Sequence, residues 1–260
     1  MSMLKRVHLI AVALTLSLTL LPAVGHAQFI QWARSAGGLS NDEGMAIAVD
    51  AAGNSYVTGL FRGPTVATFG SIPLMSAGGS DVFVAKYDAN GNVLWARSAG
   101  GTGEDYSRGI AVDVHGNSYV TGQFVGTAMF APTATSGSIV LISAGDFDIF
   151  VAKYDPSGTV LWARSAGGTH GDLGNGIAVD GLGNSYVTGV FESPAMFGQY
   201  QFTFPSGNNL DAFVAKYDSS GTVLWARSAG RPSGNNFSEG DGIGVDGLGS
   251  SYVTGHFEGT

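Results

Sequence analysis

The sequence predicts an all-β protein built from repeated four-stranded antiparallel units, and three observations support this prediction. Gly supplies 41 of the 260 residues and charged residues only 12%, which disfavours helix interiors and the charge pairs of exposed helices. The hydrophobic share of 44% is enough for a packed core, which argues against a disordered chain. Three phrases also recur at steps of 63 to 67 residues: Trp-Ala-Arg-Ser-Ala-Gly from Trp32, Tyr-Val-Thr-Gly from Tyr56 and Phe-Val-Ala-Lys-Tyr-Asp from Phe83.

The first 27 residues are predicted to form a secretory signal peptide that is cleaved after Ala27. Lys5 and Arg6 give it a positive start, the run Leu9 to Leu21 is apolar, and Gly25 is a small residue at the second cleavage position. The apolar run is too short to span a bilayer as a helix. Cleavage therefore leaves no membrane span, and it makes the net charge of the mature chain more negative than the −8 of the full chain.

Each repeat within residues 28–260 contains four β-like runs rich in Val, Ile, Phe, Tyr and Trp. In the first complete repeat these strands one to four are Met45–Asp50, Ser55–Gly59, Asp81–Asp88 and Val93–Ala99. Asp-x-x-Gly joins strand one to two and strand three to four, which is typical of type I turns. The connection between strands two and three carries a further aromatic residue, which is predicted to lie on a short extra strand and to point into the core: Phe69, Phe130 and Phe197.

Four antiparallel strands repeated at this length form the blades of a β-propeller. The phrases Gly-Asn-Ser-Tyr-Val-Thr-Gly, Asp-x-Phe-Val-Ala-Lys-Tyr-Asp and Val-Leu-Trp-Ala-Arg-Ser-Ala-Gly-Gly resemble the SBBP β-propeller repeat of exported bacterial proteins. The resemblance covers about Gln31 to Gly255, nearly the whole mature chain. It implies a many-bladed ring, often within larger surface or secreted proteins, and no shared catalytic residues.

The blade count is incomplete at both ends of the chain. The sequence begins with a lone fourth strand at Ile30–Ala36, continues with three full blades, and ends after the second strand of a fourth. Three arrangements fit this count: a four-bladed ring with one defective blade, an open arc that assembles with copies of itself, and a chain truncated from a longer protein. The unpaired edges of the first two arrangements invite pairing with another chain.

The connections between strand four and the next strand one are acidic in every repeat. In a propeller they would lie at the mouth of the central channel, on the face that also carries the variable two–three connections. Such carboxylates are expected either to bind Ca²⁺ or a cationic group, or to form a solvated rim. The candidate binding residues are Asp42, Glu43, Glu104, Asp105, Asp172, Glu239 and Asp241.

The basic and aromatic residues that recur once per blade are expected to be structural. The lysines of strand three and the arginines of strand four should cover sheet with their stems while their charged ends reach a turn Asp or water. The Trp and Tyr series should pack blade on blade. The basic residues are Lys86, Lys153 and Lys216, with Arg34, Arg97, Arg164 and Arg227.

No catalytic motif is present, and His115, His170 and His256 occupy unrelated places in their repeats. The negative charge makes nucleic acid a poor partner. The sequence therefore predicts a non-enzymatic, exported scaffold or interaction module in the periplasm, at the cell surface or outside the cell, with a protein or carbohydrate ligand, self-association through the incomplete blade, and no cofactor other than Ca²⁺. The alternatives are a carbohydrate- or Ca²⁺-dependent binding propeller, and a hydrolase or lyase with its site at the channel mouth.

Overall fold

The computed structural model describes residues 11–12, 30–63, 66–130, 137–203, 210–230 and 237–257. The predicted signal peptide lies outside these residues except for Ala11–Val12, a two-residue strand that pairs with Ala33–Arg34. All regular secondary structure in the described residues is β-strand. That part of the chain accordingly contains no helix of the length and apolarity that crossing a bilayer requires.

The strands are short and are connected by tight turns, as expected for a Gly-rich chain with many Val, Phe and Tyr residues. In chain order they are β1 (Ala11–Val12), β2 (Ala33–Arg34), β3 (Glu43–Val49), β4 (Ser55–Arg62), β5 (Ala67–Phe69), β6 (Ile72–Leu74), β7 (Ser80–Tyr87), β8 (Val93–Gly100), β9 (Tyr106–Val112), β10 (Ser118–Phe124), β11 (Thr127–Phe130), β12 (Ile139–Ile142), β13 (Asp148–Tyr154), β14 (Val160–Gly168), β15 (Leu173–Val179), β16 (Ser185–Glu192), β17 (Ala195–Phe197), β18 (Tyr200–Phe202), β19 (Leu210–Tyr217), β20 (Val223–Ala229), β21 (Ser238–Val245) and β22 (Ser251–Phe257).

These strands form three complete four-stranded antiparallel blades and part of a fourth. The first blade is β3-β4-β7-β8, the second β9-β10-β13-β14, the third β15-β16-β19-β20, and the partial fourth β21-β22. The predicted all-β, blade-like architecture is therefore confirmed, and the predicted strand bounds differ from the observed ones by only a few residues.

The predicted extra strand in each two–three connection is a hairpin that joins the sheet of the preceding blade. In the second blade's connection, β11 pairs with β12 and also with β8 of the first blade, through Met129↔Gly100 and Phe130↔Ala99. Hairpin β17-β18 joins β14 in the same way, and hairpin β5-β6 touches the N-terminal segment through Gly37↔Thr68. The aromatic side chains Phe69, Phe130 and Phe197 are buried as predicted.

The Asp-x-x-Gly turns have the predicted geometry. In the three–four turn of the second blade, Asp155 Oδ1 accepts hydrogen bonds from the backbone N–H of Ser157 at 2.9 Å and of Thr159 at 2.8 Å. Gly158 closes the turn with φ +79°, a conformation that L side chains rarely adopt. The turn thus fixes both the register of the two strands and the position of its carbonyl groups.

Within each blade, a glycine of strand two lies under the phenylalanine of strand three. A Cβ on Gly122 would overlap the Tyr106 carbonyl oxygen and lie 2.9 Å from Cε1 of Phe150. Gly59 and Gly189 are crowded in the same way by Phe83 and Phe213. The ring occupies the space that a side chain on the glycine would need, which lets two strands and a large aromatic residue pack closely.

Successive blades contact each other along their first strands, and the array is open. Ile110 of β9 and Ile177 of β15 are 8% and 9% exposed, because each faces a neighbouring blade. The equivalent Ile47 of β3 is 49% exposed. The first blade thus presents an uncovered face among the described residues.

Candidate functional site

Antiparallel order gives the array two faces. We call the side that carries the one–two and three–four turns the turn face, and the side that carries the two–three and four–one connections the loop face. The turn face holds the Asp-x-x-Gly turns, which keep the same length in every repeat. The loop face carries all of the length variation between repeats, and variable loops on a rigid frame commonly form binding sites.

On the turn face, each blade is hydrogen-bonded to the next through a buried tyrosine. The hydroxyl of Tyr119 lies 3.1 Å from Asp113 Oδ2 of its own one–two turn and 3.1 Å from the Gly183 carbonyl oxygen of the following blade. Tyr56 and Tyr186 make the equivalent contacts with Gly116 and Gly249. The prediction that the tyrosines pack blade on blade is confirmed.

Strand four holds the three–four turn of the following blade. Trp95 Nε1 donates to the Pro156 carbonyl at 3.0 Å, and its ring lies against Gly158 of the same turn. Arg97 Nε donates to the Gly158 carbonyl at 2.9 Å. The Trp32–Arg34 and Trp162–Arg164 segments bind the turns of the first and third blades in the same manner. The arginines were predicted to reach a turn Asp or water, whereas Arg34, Arg97 and Arg164 donate to turn carbonyls.

The strand-three lysines serve a structural role, as predicted. Lys86 Nζ lies 4.7 Å from the centre of the Tyr56 ring and 4.0 Å from Asp50 Oδ2. Lys216 makes the same contacts with Tyr186 and with Asp180, at 4.6 and 3.7 Å. These cation–π and ionic contacts lie on the turn face, away from the acidic connections.

On the loop face, three of the seven predicted acidic residues are buried and share one register position: Asp42, Asp105 and Asp172. Asp105 Oδ2 accepts a hydrogen bond from the Gly101 N–H at 2.8 Å, and Oδ1 accepts one from the Val125 N–H at 3.3 Å. Each of the three carboxylates thereby ties its connection to the end of the following strand two. The fourth repeat has the buried Ser238 in the corresponding position.

Two of these buried carboxylates have a second carboxylate beside them, contributed by the start of strand three. A Cβ on Gly167 would lie 2.5 Å from Asp148 Oδ1 and 2.6 Å from Asp172 Oδ2, so the two side chains meet at this glycine. Asp81 and Asp105 meet in the same way at Gly100. Asp148 Oδ1 and Asp81 Oδ1 are buried without a hydrogen-bond partner. We call Asp81–Asp105 and Asp148–Asp172 the junction acid pairs.

The surroundings of these pairs favour protonation. Burial raises the pKa of Asp105 to about 7, although the hydrogen bonds from Gly101 and Val125 act to lower it. The nearby charge of Asp81 raises this pKa further. Burial also raises the pKa of Asp172 to about 7 and that of Asp148 to about 6. These carboxyl groups therefore change charge near neutral pH.

The other four predicted acidic residues occupy different environments. Glu43 is exposed, and Glu104 accepts a hydrogen bond from the Tyr106 hydroxyl at 2.7 Å. Glu239 accepts one from Asn175 Nδ2 at 2.7 Å, and Asp241 Oδ2 lies 3.0 Å from His256 Nδ1. Among the described residues, no three His, Asp or Glu side chains form a group that could hold a metal ion. Ca²⁺ binding stays a prediction.

The loop face carries a cleft between the hairpins of successive blades. The cleft has a volume of about 410 Å³, and its lining includes Ile142 of β12, Met196 and Gln201 of hairpin β17-β18, and Asp148. Ile142 is 70% exposed and Met196 is 42% exposed. A smaller cleft of about 130 Å³ lies at the equivalent place one blade earlier, beside Asp81 and Met129. We call the larger one the hairpin cleft.

Sequence reasoning did not assign a role to Asp81, Asp148 and Asp211. Their position at the start of every Asp-x-Phe-Val-Ala-Lys phrase was visible, but an Asp beside a strand is usually exposed. The available signal was the recurrence of this Asp at the start of a strand whose next four residues are apolar in every repeat. The hairpin cleft was also missed, since it depends on a hairpin that joins the sheet of another blade.

The comparisons with known proteins agree with this architecture. The model of the SBBP β-propeller repeat matches residues 94–123 and 161–190, each of which runs from strand four of one blade to strand two of the next. The chain is also similar to a WD repeat-containing protein of Acanthamoeba polyphaga mimivirus, at 28% identity over 202 residues. A third similarity, at 33% identity over 146 residues, is to the regulatory protein FlaEY of Caulobacter vibrioides.

The two matches cover 68% and 55% of this chain, but only 14% and 15% of the respective relatives, so the chain spans about one seventh of either protein. The family model matches the segments in which Trp-Ala-Arg precedes a blade junction and Tyr-Val-Thr-Gly follows it. Those segments hold the Trp95 and Tyr119 contacts described above. Residues 94–123 and 161–190 therefore match the SBBP-type β-propeller repeat, and the described strands have the blade-like arrangement that such repeats form.

Proposed function

We propose that this protein is an exported, non-enzymatic scaffold that binds another protein through the hairpin cleft. The observation that carries the proposal is the exposure of Ile142 and Met196, which line the same cleft of about 410 Å³. Exposed apolar side chains that line a concave surface are typical of interaction sites. Met side chains also adapt to different partners, because they are flexible and polarisable.

The chemistry of the cleft favours a protein ligand. Its lining combines the apolar side chains of Ile142 and Met196 with the Gln201 amide and the segment from Gly167 to Thr169. A partner's apolar side chain can enter between Ile142 and Met196 while its backbone meets these polar groups. Apolar contacts combined with hydrogen-bonding groups are typical of protein–protein interfaces.

The frame behind the cleft is suited to a scaffold. The Trp95 and Tyr56 contacts hold the first and second blades in a fixed relation, so the two hairpins joined to these blades are held at a defined separation. The similarity to a WD repeat-containing protein supports a binding role, although it extends to only a fraction of that relative. No catalytic role is proposed for the histidines, and neither nucleic acid nor a cofactor is proposed as a ligand.

Site-specific photocrosslinking tests the binding proposal. A photoreactive residue is placed at Ile142 or at Met196, and matched controls carry it at Val114 or Leu182, which are 81% and 83% exposed on the turn face. In cells that naturally express the protein, we expect discrete protein adducts from the two cleft positions only. Equal adducts from both faces, or none from the cleft, would contradict the proposal.

Export is tested on the same cells. The proposal rests on the apolar run at Leu9 to Leu21 and the small residues before Gln28. N-terminal sequencing of the natural protein should give a chain that begins at Gln28 and is found in the periplasm, at the cell surface or in the medium. A cytoplasmic chain that keeps Met1 would refute export.

A further inference from the structure

The first strand of each blade carries a β-bulge at one repeated position. In β3, β9, β15 and β21 the register with strand two shifts by one residue, so that a single residue is inserted between two paired ones. A bulge of this kind bends its strand and re-aims the side chain of the extra residue. We call these inserted residues the bulge residues, and they are Met45, Arg108, Asn175 and Asp241.

The frame around the bulge is the same in every blade, whereas the bulge residue differs. The positions on either side of it hold only Gly, Ala or Ser, and the residue two positions later is Ile in all four strands. The bulge residue itself is apolar, basic, an amide or acidic. A rigid repeated frame that presents a different side chain in each repeat is well suited to binding.

The bulges of successive blades lie side by side where the first strands meet, which we call the inner side of the array. A Cβ on Gly109 would lie 3.0 Å from the Asn175 carbonyl oxygen, and one on Gly176 would lie 3.1 Å from the Asp241 carbonyl oxygen. β9 contacts β3 as well as β15. Arg108 therefore lies between the bulges of the first and third blades.

Arg108 is held by a buried amide that the neighbouring blades lack. Its Nε donates to Gln123 Oε1 at 2.7 Å. Gln123 is 5% exposed, and the equivalent residues of the first and third blades are the buried Leu60 and Val190. A buried amide costs free energy unless it is hydrogen-bonded, and an apolar residue would fill this position without that cost. The second blade thus departs from the repeat at two positions together, and the result is an oriented guanidinium.

The terminal nitrogens of Arg108 are open to a ligand. The side chain is partly exposed, and in the described part of the chain neither Nη1 nor Nη2 has a hydrogen-bond partner or an ion pair. The Nη2 atoms of Arg34, Arg97 and Arg164, in contrast, donate to turn carbonyls. The two free nitrogens form a planar fork that matches the two oxygens of a carboxylate.

We propose that Arg108, oriented by Gln123, binds the carboxylate group of a ligand that lies on the inner side of the array. Nη1 and Nη2 each donate to one carboxylate oxygen, while Nε stays on Gln123. A carboxylate is favoured over a phosphate dianion, because Glu239 Oε1 lies 2.7 Å from Asn175 Nδ2 and brings negative charge to the neighbouring bulge. The site is separate from the hairpin cleft, so either proposal can fail without the other.

Titration of the purified full chain with sodium propionate tests the inference. Propionate carries the carboxylate of a Glu side chain, and propionamide is its neutral counterpart. In NMR spectra we expect a saturable shift of the Arg108 Nε–H resonance and of the β9 backbone amides with propionate, and no such shift with propionamide.

A peptide probe distinguishes the source of the carboxylate. The peptide acetyl-Gly-Glu-Gly-amide is titrated in the same way, and acetyl-Gly-Gln-Gly-amide is its control. Tighter binding of the Glu peptide than of propionate indicates a polypeptide ligand. Tighter binding of propionate indicates a small organic acid, and either result supports the site.

Two matched variants each remove one positive charge. Arg108→Asn gives the second blade the bulge residue of the third, and it should weaken propionate binding by about tenfold or more through the loss of charged hydrogen bonds. Arg62→Asn is the control, because Arg62 lies on the loop face 3.8 Å from Glu104 and should leave binding unchanged.

A third variant tests the positioning role of Gln123. Gln123→Leu introduces the residue that the first blade has as Leu60, and it should weaken propionate binding without lowering the unfolding temperature. A lower unfolding temperature with unchanged binding would show that Gln123 is merely structural. The inference as a whole is overturned by the absence of a saturable shift, by an equal response to propionamide, or by equal losses in Arg108→Asn and Arg62→Asn.

Discussion

The carboxylates of Asp81 and Asp105 come together beside Gly100, where strand three of one blade meets the connection to the next. A Cβ on Gly100 would overlap Asp81 Oδ1 and lie 2.7 Å from Asp105 Oδ2. Asp105 accepts hydrogen bonds from Gly101 and Val125, whereas Asp81 Oδ1 has no partner. A proton on one carboxyl group removes the repulsion between the two carboxylates and can also form a hydrogen bond to the unpaired oxygen. The stability of the junction is therefore expected to depend on pH.

The first prediction is that stability decreases as the pH rises from about 4 through about 7. The pKa of Asp105 and that of Asp172 are raised by burial to about 7 in the folded chain. Between the ordinary Asp pKa and these values the folded state holds more protons than the unfolded state, so each step up in pH favours unfolding. Urea unfolding at pH 5 to 9 measures this slope.

The variant Asp105→Asn should flatten the slope and stabilise the chain above pH 7, by on the order of 1 kcal/mol, comparable to one unit of pKa shift. With its amide nitrogen in the place of Oδ2, the Asn can donate to Asp81 Oδ1 in exchange for the Gly101 contact, while its oxygen still accepts from the Val125 N–H. The natural Ser238 at the fourth position is a precedent for a neutral residue there. An unchanged pH profile in the variant would rule out the junction acid pairs as its cause.

The second prediction concerns stability below pH 4, where stability is expected to fall as the pH decreases. Burial of Asp155 opposes ionisation, but hydrogen bonds from Ser157 and Thr159 outweigh it and hold its pKa below the ordinary value. A lowered pKa in the folded state contributes stability that is lost as the pH falls through that pKa. Asp155→Asn keeps the acceptor for both N–H groups and removes the charge, so acid unfolding should shift to lower pH. If the acid midpoint stays in place, the turn carboxylate has no part in acid unfolding.

The third prediction is that Gly122→Ala is strongly destabilising. Its methyl group would overlap the Tyr106 carbonyl oxygen and press on Phe150, and both are held in the sheet. Overpacking of this kind typically costs about 1–3 kcal/mol. Gly171→Ala is the control, since no atom lies within 4 Å of its Cβ position, and it should change stability by less than about 0.5 kcal/mol. Equal denaturation midpoints for the two variants would refute the packing argument.

The fourth prediction compares two tyrosines of the same repeat position. Tyr119→Phe removes a buried hydroxyl that contacts both Asp113 and the Gly183 carbonyl, and should destabilise the chain by about 1 kcal/mol or more. Tyr252→Phe removes only the contact with Asp246 on a 63% exposed residue and should be nearly neutral. Thermal unfolding distinguishes the two, and a larger effect at Tyr252 would contradict the role of Tyr119 at the blade junction.

Local patterns in the sequence were sufficient to predict the blades. Alternating apolar residues and Asp-x-x-Gly turns act within one hairpin, so the predicted strand Asp81–Asp88 is displaced by only one residue from the observed Ser80–Tyr87. The periodic placement of Trp95 and Tyr119 likewise indicated contacts between blades, because a residue that recurs once per repeat meets the same environment each time. The structure confirms both inferences.

The candidate site was less predictable, because it depends on groups from different blades. Asp172 was expected at a channel mouth, as an acidic residue in a connection is normally solvated. In the structure the end of β16 crosses over it and donates the Glu192 N–H at 3.0 Å, which buries the carboxylate. Glu104 and Glu239 lie at other register positions than Asp172. The prediction placed them in one group because they lie in equivalent connections of the sequence, but the fold puts them in different environments.

The hairpins that cross between sheets mean that the folding unit differs from the sequence repeat. The first sheet runs from β3 to β12 and thus includes residues of two repeats, and the second sheet, from β9 to β18, overlaps it along the chain. A blade cannot separate from its neighbour without stripping the hairpin from the outer edge of β8 or β14. We therefore expect that a blade does not unfold independently of its neighbours. An excised or duplicated segment keeps intact sheets only if its ends lie beyond a hairpin and not at the boundaries of the repeat.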